Sequence, residues 1–321
     1  MKTIQLITLT ATLALAACSK DNIPDTPADN SELKIVATID ASPDADVLPA
    51  GRSADTRATF NPDGSGAFAT GDVLRLRVRG SVPVTYHVEY TIGTTVLRWD
   101  DFKDIGNKGP LTFAGAYPKN AVDNDNCFYI LRAANPDLLI APTVTVAKGE
   151  PVRLAFRHVM HRLVVNLSGN ALTADELSQA SVRLSESLYC CAVVDFTNAT
   201  ALADNSAIYG DNPPTRTGAT TTFILVPQDI HSLSEKITIT AGGQELTYTF
   251  PAQLPGATAY DPPRRLQSGR TLTLNLAINT ANRSAAASAK PSTRATTTDD
   301  AALTPECTGT VSYTHLTLPT N

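Results

Sequence analysis

The sequence predicts an all-β protein in which two tandem β-sandwich domains follow a lipoprotein signal peptide. Short segments that alternate apolar and polar residues recur along the chain, and clusters of glycine, proline, asparagine or aspartate separate them. One short stretch alone has helical character, which favours stacked sheets over a mixed fold. The length of 321 residues corresponds to about two domains.

The amino terminus predicts a lipoprotein signal peptide over residues 1–17. Lys2 precedes an apolar run, Ile4–Ala17, which is too short to span a bilayer but has the length of a signal-peptide core. Leu15, two alanines and Cys18 then match the pattern at which bacterial lipoproteins are cleaved and acylated. We therefore expect Cys18 to be the lipidated first residue, since several acyl chains give a lasting anchor. The alternative is an ordinary secreted protein.

Residues 18–30 predict a flexible tether. They are polar, contain proline and lack periodicity. Lys20 and Asp21 loosely match the lysine and acidic signal that sends some lipoproteins to the cell surface, and a plain linker explains the segment equally well.

The first domain is predicted over residues 31–160. Its first strand candidate is Leu33–Ile39, and a turn-rich segment follows that contains Arg52 and Arg57. In the segment VLRLRVR three apolar residues point one way and three arginines the other, which predicts one buried and one solvated face. The residues of the first strand that share its apolar face are Leu33, Ile35, Ala37 and Ile39. The further strands predicted in this domain are Val84–Tyr90 (with Val84, Tyr86, Val88 and Tyr90 on one face), Thr95–Trp99, Leu111–Ala114, Phe128–Leu131 and Val144–Val146.

The second domain is predicted over residues 161–280. Ala174–Gln179 is the best helix candidate, with Thr173 as its N-cap. Gly242 and Gly243 predict a hairpin turn, and Thr271–Ile278 is the clearest strand because four apolar residues alternate along it. The other strands predicted here are Ser181–Ser185, Ala192–Phe196, Thr222–Val226, Lys236–Thr240 and Glu245–Phe250.

The end of the chain is predicted to lie outside the sandwiches. Residues 281–310 are rich in alanine, serine and threonine and predict a disordered linker or tail without strand character. Residues 311–321 resemble the translation of a sequencing adapter, so we expect them not to be biological and the natural carboxyl terminus to be missing.

Composition excludes several classes of protein. The net charge of −5 gives no basic surface for nucleic acid, so no nucleic-acid partner is expected.

The cysteines other than Cys18 form no CxxC pair. Cys190 and Cys191 are adjacent, so within a strand they cannot face the same side. Cys127 could bridge one of them in an oxidising compartment, and buried reduced thiols are the open alternative. The remaining cysteine is Cys307.

The motifs of enzyme chemistry are missing from the sequence. It contains no GxSxG elbow, HExxH pair, P-loop or glycine-rich dinucleotide fingerprint, so we predict no catalytic residue, no cofactor and no metal site. His158 and His161 would face opposite sides of one strand, and His158 is expected to be structural because it follows Phe156 on the apolar face. The Asn/Asp-rich segments 61–64 and 123–126 are interpreted as turns rather than as calcium loops.

Five segments, taken in order, resemble the fimbrillin family. These segments are the lipoprotein cleavage motif ending at Cys18, TRATF…FATGDVLRL (Thr56–Leu76), LAFRHVMHRLVVNL (Leu154–Leu167), FILVPQ (Phe223–Gln228) and LQSGRTLTLNL (Leu266–Leu276). Fimbrillins are lipoprotein subunits of type V pili and related surface adhesins of Gram-negative bacteria. The resemblance implies a pair of transthyretin-like sandwiches on a lipoprotein that is held in the outer membrane and exposed at the cell surface.

The resemblance also implies assembly by strand exchange. A protease cuts after an arginine in the loop that follows the first strand, the strand leaves, and a strand of the neighbouring subunit fills the groove. Leu33–Ile39 matches the removable strand, and Arg52 or Arg57 matches the cut. The open alternative is that both arginines are ordinary loop residues. Fimbrillins donate a carboxyl-terminal strand, and residues 281–321 are not expected to do so.

Three functions follow from these interpretations. The first is a structural subunit of a pilus that serves adhesion, with neighbouring subunits and the outer membrane as partners. The second is a standalone surface lipoprotein that binds a glycan or a host or bacterial surface protein on the same scaffold. The third, a secreted hydrolase, lacks a catalytic constellation. The shared fold cannot separate the first two functions.

Overall fold

The computed structural model describes residues 32–41, 58–61, 64–119, 122, 128–130, 137–170, 172–184, 188–204, 213–230, 236–250, 254, 264–278 and 308–312. The chain in these ranges is mostly β-strand, which confirms the all-β prediction. The strands of the first half are β1 (Glu32–Leu33), β2 (Ile35–Ile39), β3 (Thr59–Phe60), β4 (Gly66–Ala67), β5 (Val73–Arg79), β6 (Thr85–Thr91), β7 (Leu97–Arg98), β8 (Leu111–Tyr117), β9 (Phe128–Ile130), β10 (Leu139–Val146) and β11 (Val152–His158).

The second half adds twelve strands and a short helix. These elements are β12 (His161–Ser168), α1 (Ala174–Gln179), β13 (Ser181–Leu184), β14 (Cys191–Asp195), β15 (Thr200–Ala203), β16 (Thr215–Thr217), β17 (Thr220–Leu225), β18 (Gln228–Asp229), β19 (Lys236–Ala241), β20 (Gln244–Thr249), β21 (Arg265–Leu266), β22 (Thr271–Ala277) and β23 (Thr308–Ser312).

An eight-stranded sheet in the order β3-β4-β2-β11-β10-β8-β5-β6 organises the first half. The alternation in β5 has the predicted effect, since Leu74, Leu76 and Val78 are fully buried on one face. In the edge strand β6, Tyr86, Val88 and Tyr90 share one face, as predicted, and lie opposite Val78, Leu76 and Leu74 of β5. That face is less buried than predicted. Val84 and Tyr86 are 53% and 45% exposed, because only the later part of the strand reaches the core.

The first core lies on the inner face of this sheet. The prediction of a strand over Thr95–Trp99 is wrong beyond β7, because a 3₁₀ helix, Trp99–Ile105, begins there. Asp101 Oδ2 accepts a hydrogen bond from Arg98 N at 2.7 Å and fixes the start of the helix. Trp99, Phe102 and Ile105 are buried by it. The helix was not predicted from the sequence, because WDDFKD is short and mostly polar, although its apolar residues lie on one side of the helix.

The second core belongs to the second half. A five-stranded sheet, β16-β17-β12-β22-β23, packs with α1 against the sheet β13-β19-β20. Two sequence predictions are confirmed here. Thr173 Oγ1 accepts a hydrogen bond from Glu176 N at 3.2 Å, and the Glu176 side chain accepts one from Thr173 N at 2.8 Å, which forms a capping box. Gly242 and Gly243 form the hairpin turn between β19 and β20, with φ of 55° and 75°.

A third core joins the two halves. The sheet β15-β14-β9 lies over the outer face of the eight-stranded sheet, where small side chains such as Ala114 and Ala116 leave room for it. The arginine face of β5 is therefore partly covered, in contrast to the prediction of a solvated face. Cys190 and Cys191 are both reduced thiols buried in this core. The expectation that adjacent cysteines within a strand face opposite sides does not apply to them, because Cys190 precedes β14.

The junction between the halves is a two-residue link. Val159 and Met160, which are 0% and 3% exposed, connect β11 to β12 and belong to the third core. His158 and His161 consequently end one strand and begin the next. The prediction that they lie on opposite faces of one strand is corrected by this break.

The last strand, β23, was not predicted. It pairs antiparallel with β22, from Ala277 opposite Thr308 to Thr273 opposite Ser312. Its residues come from both terminal segments, 281–310 and 311–321, for which no strand was expected. Since β12 occupies one edge of β22, the other edge offers unpaired backbone groups, and backbone pairing there requires no apolar alternation in the incoming segment.

Candidate functional site

The candidate functional site is the segment Glu32–Ile39 and the groove that it fills. The sequence predicts a single strand, Leu33–Ile39, whereas the structure divides the segment into β1 and β2 at Lys34. β1 pairs antiparallel with β7, and β2 pairs parallel with β11. The segment therefore passes from one strand pair to another, which explains the interruption at Lys34.

Four side chains of this segment pack into the first core, as the sequence predicts. Leu33 and Ile39 are 5% and 4% exposed, and Ile35 and Ala37 are half-buried against the same cluster. Burial of one large aliphatic side chain contributes about 1.5–3 kcal/mol. The segment therefore stabilises the first core by several kcal/mol.

The backbone of β2 is held along one edge. Its register runs from Ile35 opposite Val152 to Ile39 opposite Phe156. Hydrogen bonds at both ends extend this ladder, from Val152 N to the Lys34 carbonyl and from Asp40 N to the Phe156 carbonyl, each at 2.8 Å. Sequence periodicity gives no sign of such a parallel pairing between distant segments.

The opposite edge of β2 is held much less. Within the part of the chain that the structure describes, its one strand pairing on that side is Ile39 with Gly66 of β4. The exposed ion pair between Arg157 of β11 and Asp40, at 3.3 Å, lies on the β11 side and adds nothing to this edge. In the sheet β2 lies between β11 and the β3–β4 hairpin, and its strand pairing with that hairpin is this single pair of residues.

The two candidate cleavage residues and the lipidation residue lie outside the described residues. These are Arg52, Arg57 and Cys18. The chain on the carboxyl side of Arg57 begins with Ala58, which is fully buried, and continues into β3. Backbone accessibility immediately after Arg57 is therefore low.

His158 lies at the end of β11, beside this site, in a polar pair that the sequence did not predict. Its Nδ1 is 2.6 Å from Asp137 Oδ2, and its Nε2 is 2.9 Å from the carbonyl of Gly64 in the β3–β4 turn. Burial alone would lower the pKa of His158, but the charge and hydrogen bond of Asp137, with the bond to Gly64, raise the pKa above its ordinary value. The imidazole thus ties the β3–β4 hairpin to β11.

No other group in the described ranges suggests a reactive centre. No cluster of three or more His, Cys, Asp or Glu there could hold a metal ion. Burial, and then the neighbouring Cys190, raise the pKa of the Cys191 thiol to about 11, so it is a poor nucleophile at neutral pH. Neither helix in these ranges has the length and apolarity required to cross a membrane.

Comparison with solved structures gives the relatives of this fold. A candidate cell adhesion protein from Bacteroides uniformis superposes with a TM-score of 0.54 and 15% identity, covering 78% of this chain and 93% of that chain. A fimbrial assembly protein from Parabacteroides distasonis has a TM-score of 0.43 and 13% identity, covering 77% and 91% of the two chains. At these identities the first likeness supports the fold alone. No curated protein matches the chain.

Comparison with protein-family models shows which family the chain belongs to. The model of the fimbrillin-like family matches residues 105–300, which include the junction between the two halves and all of the second core. This match covers more than half of the 321 residues. The chain belongs to the fimbrillin-like family.

Proposed function

We propose that the protein is a structural subunit of a surface pilus, that it assembles by strand exchange and that the pilus serves adhesion. The observation that carries this proposal is the attachment of β2: a parallel ladder to β11 on one edge, a single pairing on the other, and side chains that reach the first core. Withdrawal of such a strand exposes an unpaired edge and vacant side-chain positions together. Strand addition from another chain satisfies both.

The maturation step is a cut in the loop that follows β2. An endoprotease requires several accessible, extended residues on both sides of the scissile bond. Ala58 is buried and β3 pairs with β4 directly after it, which disfavours a cut after Arg57. We therefore assign the cut to Arg52, which precedes Ala58 by six positions in the sequence rather than one.

The remaining features of the proposal concern organisation and anchoring. Acylated Cys18 holds the precursor in the outer membrane, and residues 31–160 and 161–280 form two tandem transthyretin-like sandwiches. Once β2 has left, the lipid anchor is no longer covalently joined to the rest of the chain. The subunit is then retained at the surface by its neighbours in the pilus.

The experiment that tests this function expresses the chain, with the natural carboxyl terminus in place of residues 311–321, in a Gram-negative host that carries a surface arginine-specific protease. Mass spectrometry of the surface-extracted protein should give a mature start at Ser53, and gels should show detergent-resistant ladders. Arg52→Ala should retain the start at Cys18 and abolish the ladders, whereas Arg57→Ala, the matched control, should behave as the parent. Ladders formed by a protein that starts solely at Cys18 would contradict strand exchange.

A further inference from the structure

A cavity of about 420 Å³ lies where the two halves meet. Its floor is the outer face of the eight-stranded sheet, from β5 and β8, and its roof is the turn between β14 and β15. The cavity is separate from β1 and β2, so a ligand there does not depend on strand exchange. Its volume falls in the range of sites for small organic molecules.

Two arginines form the cationic wall of the cavity. Arg77 and Arg79 are two residues apart on β5 and therefore share a face. The guanidinium carbon of Arg77 lies 4.4 Å from the centroid of the Phe196 ring, and Arg79 Nε donates a hydrogen bond to Thr85 Oγ1 at 2.7 Å. These contacts orient the guanidinium groups in advance, which reduces the entropy lost when they bind a carboxylate.

Hydroxyl groups and one carboxylate complete the lining. Thr112, Thr143 and Thr197 contribute hydroxyls, and Asp195 lies beside them. Asp195 already accepts hydrogen bonds from Thr197 N and Asn198 Nδ2, each at 2.7 Å, and from Asn198 N at 3.4 Å. The Thr197 hydroxyl also bonds to Asp195, so these four bonds hold the carboxylate in place and occupy its acceptor positions. Thr112 and Thr143 donate their hydroxyl protons to the carbonyls of Arg79 and Phe196, and their oxygens remain able to accept from a ligand hydroxyl.

We propose that this cavity binds a carboxylated sugar, such as a uronic acid. The ligand carboxylate is placed against Arg77 and Arg79, because the guanidinium fork matches carboxylate geometry. The sugar hydroxyls donate to the side-chain oxygens of Thr112 and Thr143. A free phosphate or sulfate ion is disfavoured, because it carries more negative charge beside Asp195 than a carboxylate does and has no sugar ring whose hydroxyls could bind to the threonines. Acetate would occupy too small a part of the volume to use the hydroxyl groups.

The test measures binding to the purified full chain in detergent by isothermal titration calorimetry. The probes are methyl β-glucuronide, its neutral counterpart methyl β-glucoside, and acetate. We expect the glucuronide to bind at least about tenfold more tightly than either other probe, since hydrogen bonds to charged groups exceed neutral ones. Added salt should weaken its binding. Free glucuronic acid distinguishes recognition of a glycan terminus, which the methyl glycoside represents, from recognition of the free sugar acid.

Two arginines of the same strand provide matched variants. Arg79→Ala should weaken glucuronide binding about tenfold. Arg75→Ala should leave it unchanged, because Arg75 shares the face but lies outside the cavity and pairs with Glu89 at 3.4 Å. The Arg79 side chain is exposed and the Arg75 side chain is partly buried, so thermal denaturation should verify that both variants are folded. Equal binding of glucuronide and glucoside, equal effects of the two variants, or the lack of saturable glucuronide binding would each overturn the proposal.

Discussion

His158 and Asp137 form a close polar pair at the end of β11, with 2.6 Å between Nδ1 and Oδ2. Asp137 lies just before β10, and the second ring nitrogen of His158 contacts the Gly64 carbonyl. Arg162 also acts on this pair through its charge and lowers the pKa of His158, but the attraction of Asp137 outweighs that repulsion. The pKa of His158 is thus higher in the folded protein than its ordinary value.

The pair predicts a pH dependence of stability. The folded-state pKa of His158 is raised above its unfolded value, so its contribution is fully present below the unfolded pKa of about 6.5 and is lost as pH rises through the folded pKa. Asp137→Asn should therefore lower the free energy of unfolding more at pH 5.5 than at pH 9, measured by urea denaturation. Asp104→Asn, on the exposed side of the 3₁₀ helix, is the control. An equal loss at both pH values would contradict the assignment.

Alanine substitutions in the first strand should lower the free energy of unfolding at its buried positions and have little effect at its exposed ones. Ile39→Ala should reduce the free energy of unfolding by about 2–5 kcal/mol, because it removes buried methyl groups from the first core. Thr38→Ala, which alters an exposed neighbour on the same strand, should change it by less than about 0.5 kcal/mol. Similar losses in the two variants, measured by chemical denaturation, would show that β2 does not pack as described.

We predict that the packing of Phe156 requires glycine at position 115. A Cβ at this position would lie 2.6 Å from Phe156 Cζ, so Gly115→Ala should destabilise the fold by about 1–3 kcal/mol. Gly109→Ala has open space around it and is the matched control. Phe156→Leu in the Gly115→Ala background should recover part of the loss in thermal denaturation. A neutral Gly115→Ala variant would argue against this contact.

The buried cysteines should resist alkylation in the folded protein. With a pKa of about 11, the Cys191 thiol is almost entirely protonated at pH 8, and its burial also blocks reagent access. Iodoacetamide followed by peptide mass spectrometry should find Cys190 and Cys191 unmodified before unfolding and modified afterwards. Rapid modification of the native protein at either residue would place it outside the third core.

A peptide should replace the first strand after cleavage. Protein cut after Arg52 and freed of its first strand should bind a synthetic peptide of residues 32–41, because β11 then offers an open edge and positions for four side chains. Fluorescence anisotropy should show that the same peptide with serine at positions 35 and 39 binds much more weakly. Equal binding of the two peptides would argue against a specific groove.

Local patterns predicted the elements whose structure is determined within a few residues. The alternation in β5 and β22, the N-cap Thr173, and the glycine pair at 242–243 are of this kind. Each depends on neighbouring residues, so the sequence contains the full signal.

Long-range relationships could not be predicted in the same way. Nothing in the periodicity of Ile35–Ile39 specifies Val152–Phe156 as its parallel partner, and Asp137 gives no local sign of its contact with His158. The third core rests partly on alanines, whose small side chains carry a weak hydrophobic signal. The cavity likewise joins β5 to a turn of the second half that the arginine pattern alone does not indicate.

The buried link at Val159 and Met160 has a mechanical consequence. Because both residues belong to the third core, tension applied across the two halves must first peel β14 and β15 from the sheet beneath them before the link can lengthen. The two halves would then resist bending as one rigid unit and would not rotate relative to each other about the link. A fibre built from such units would transmit the drag on a tethered cell with little stretch.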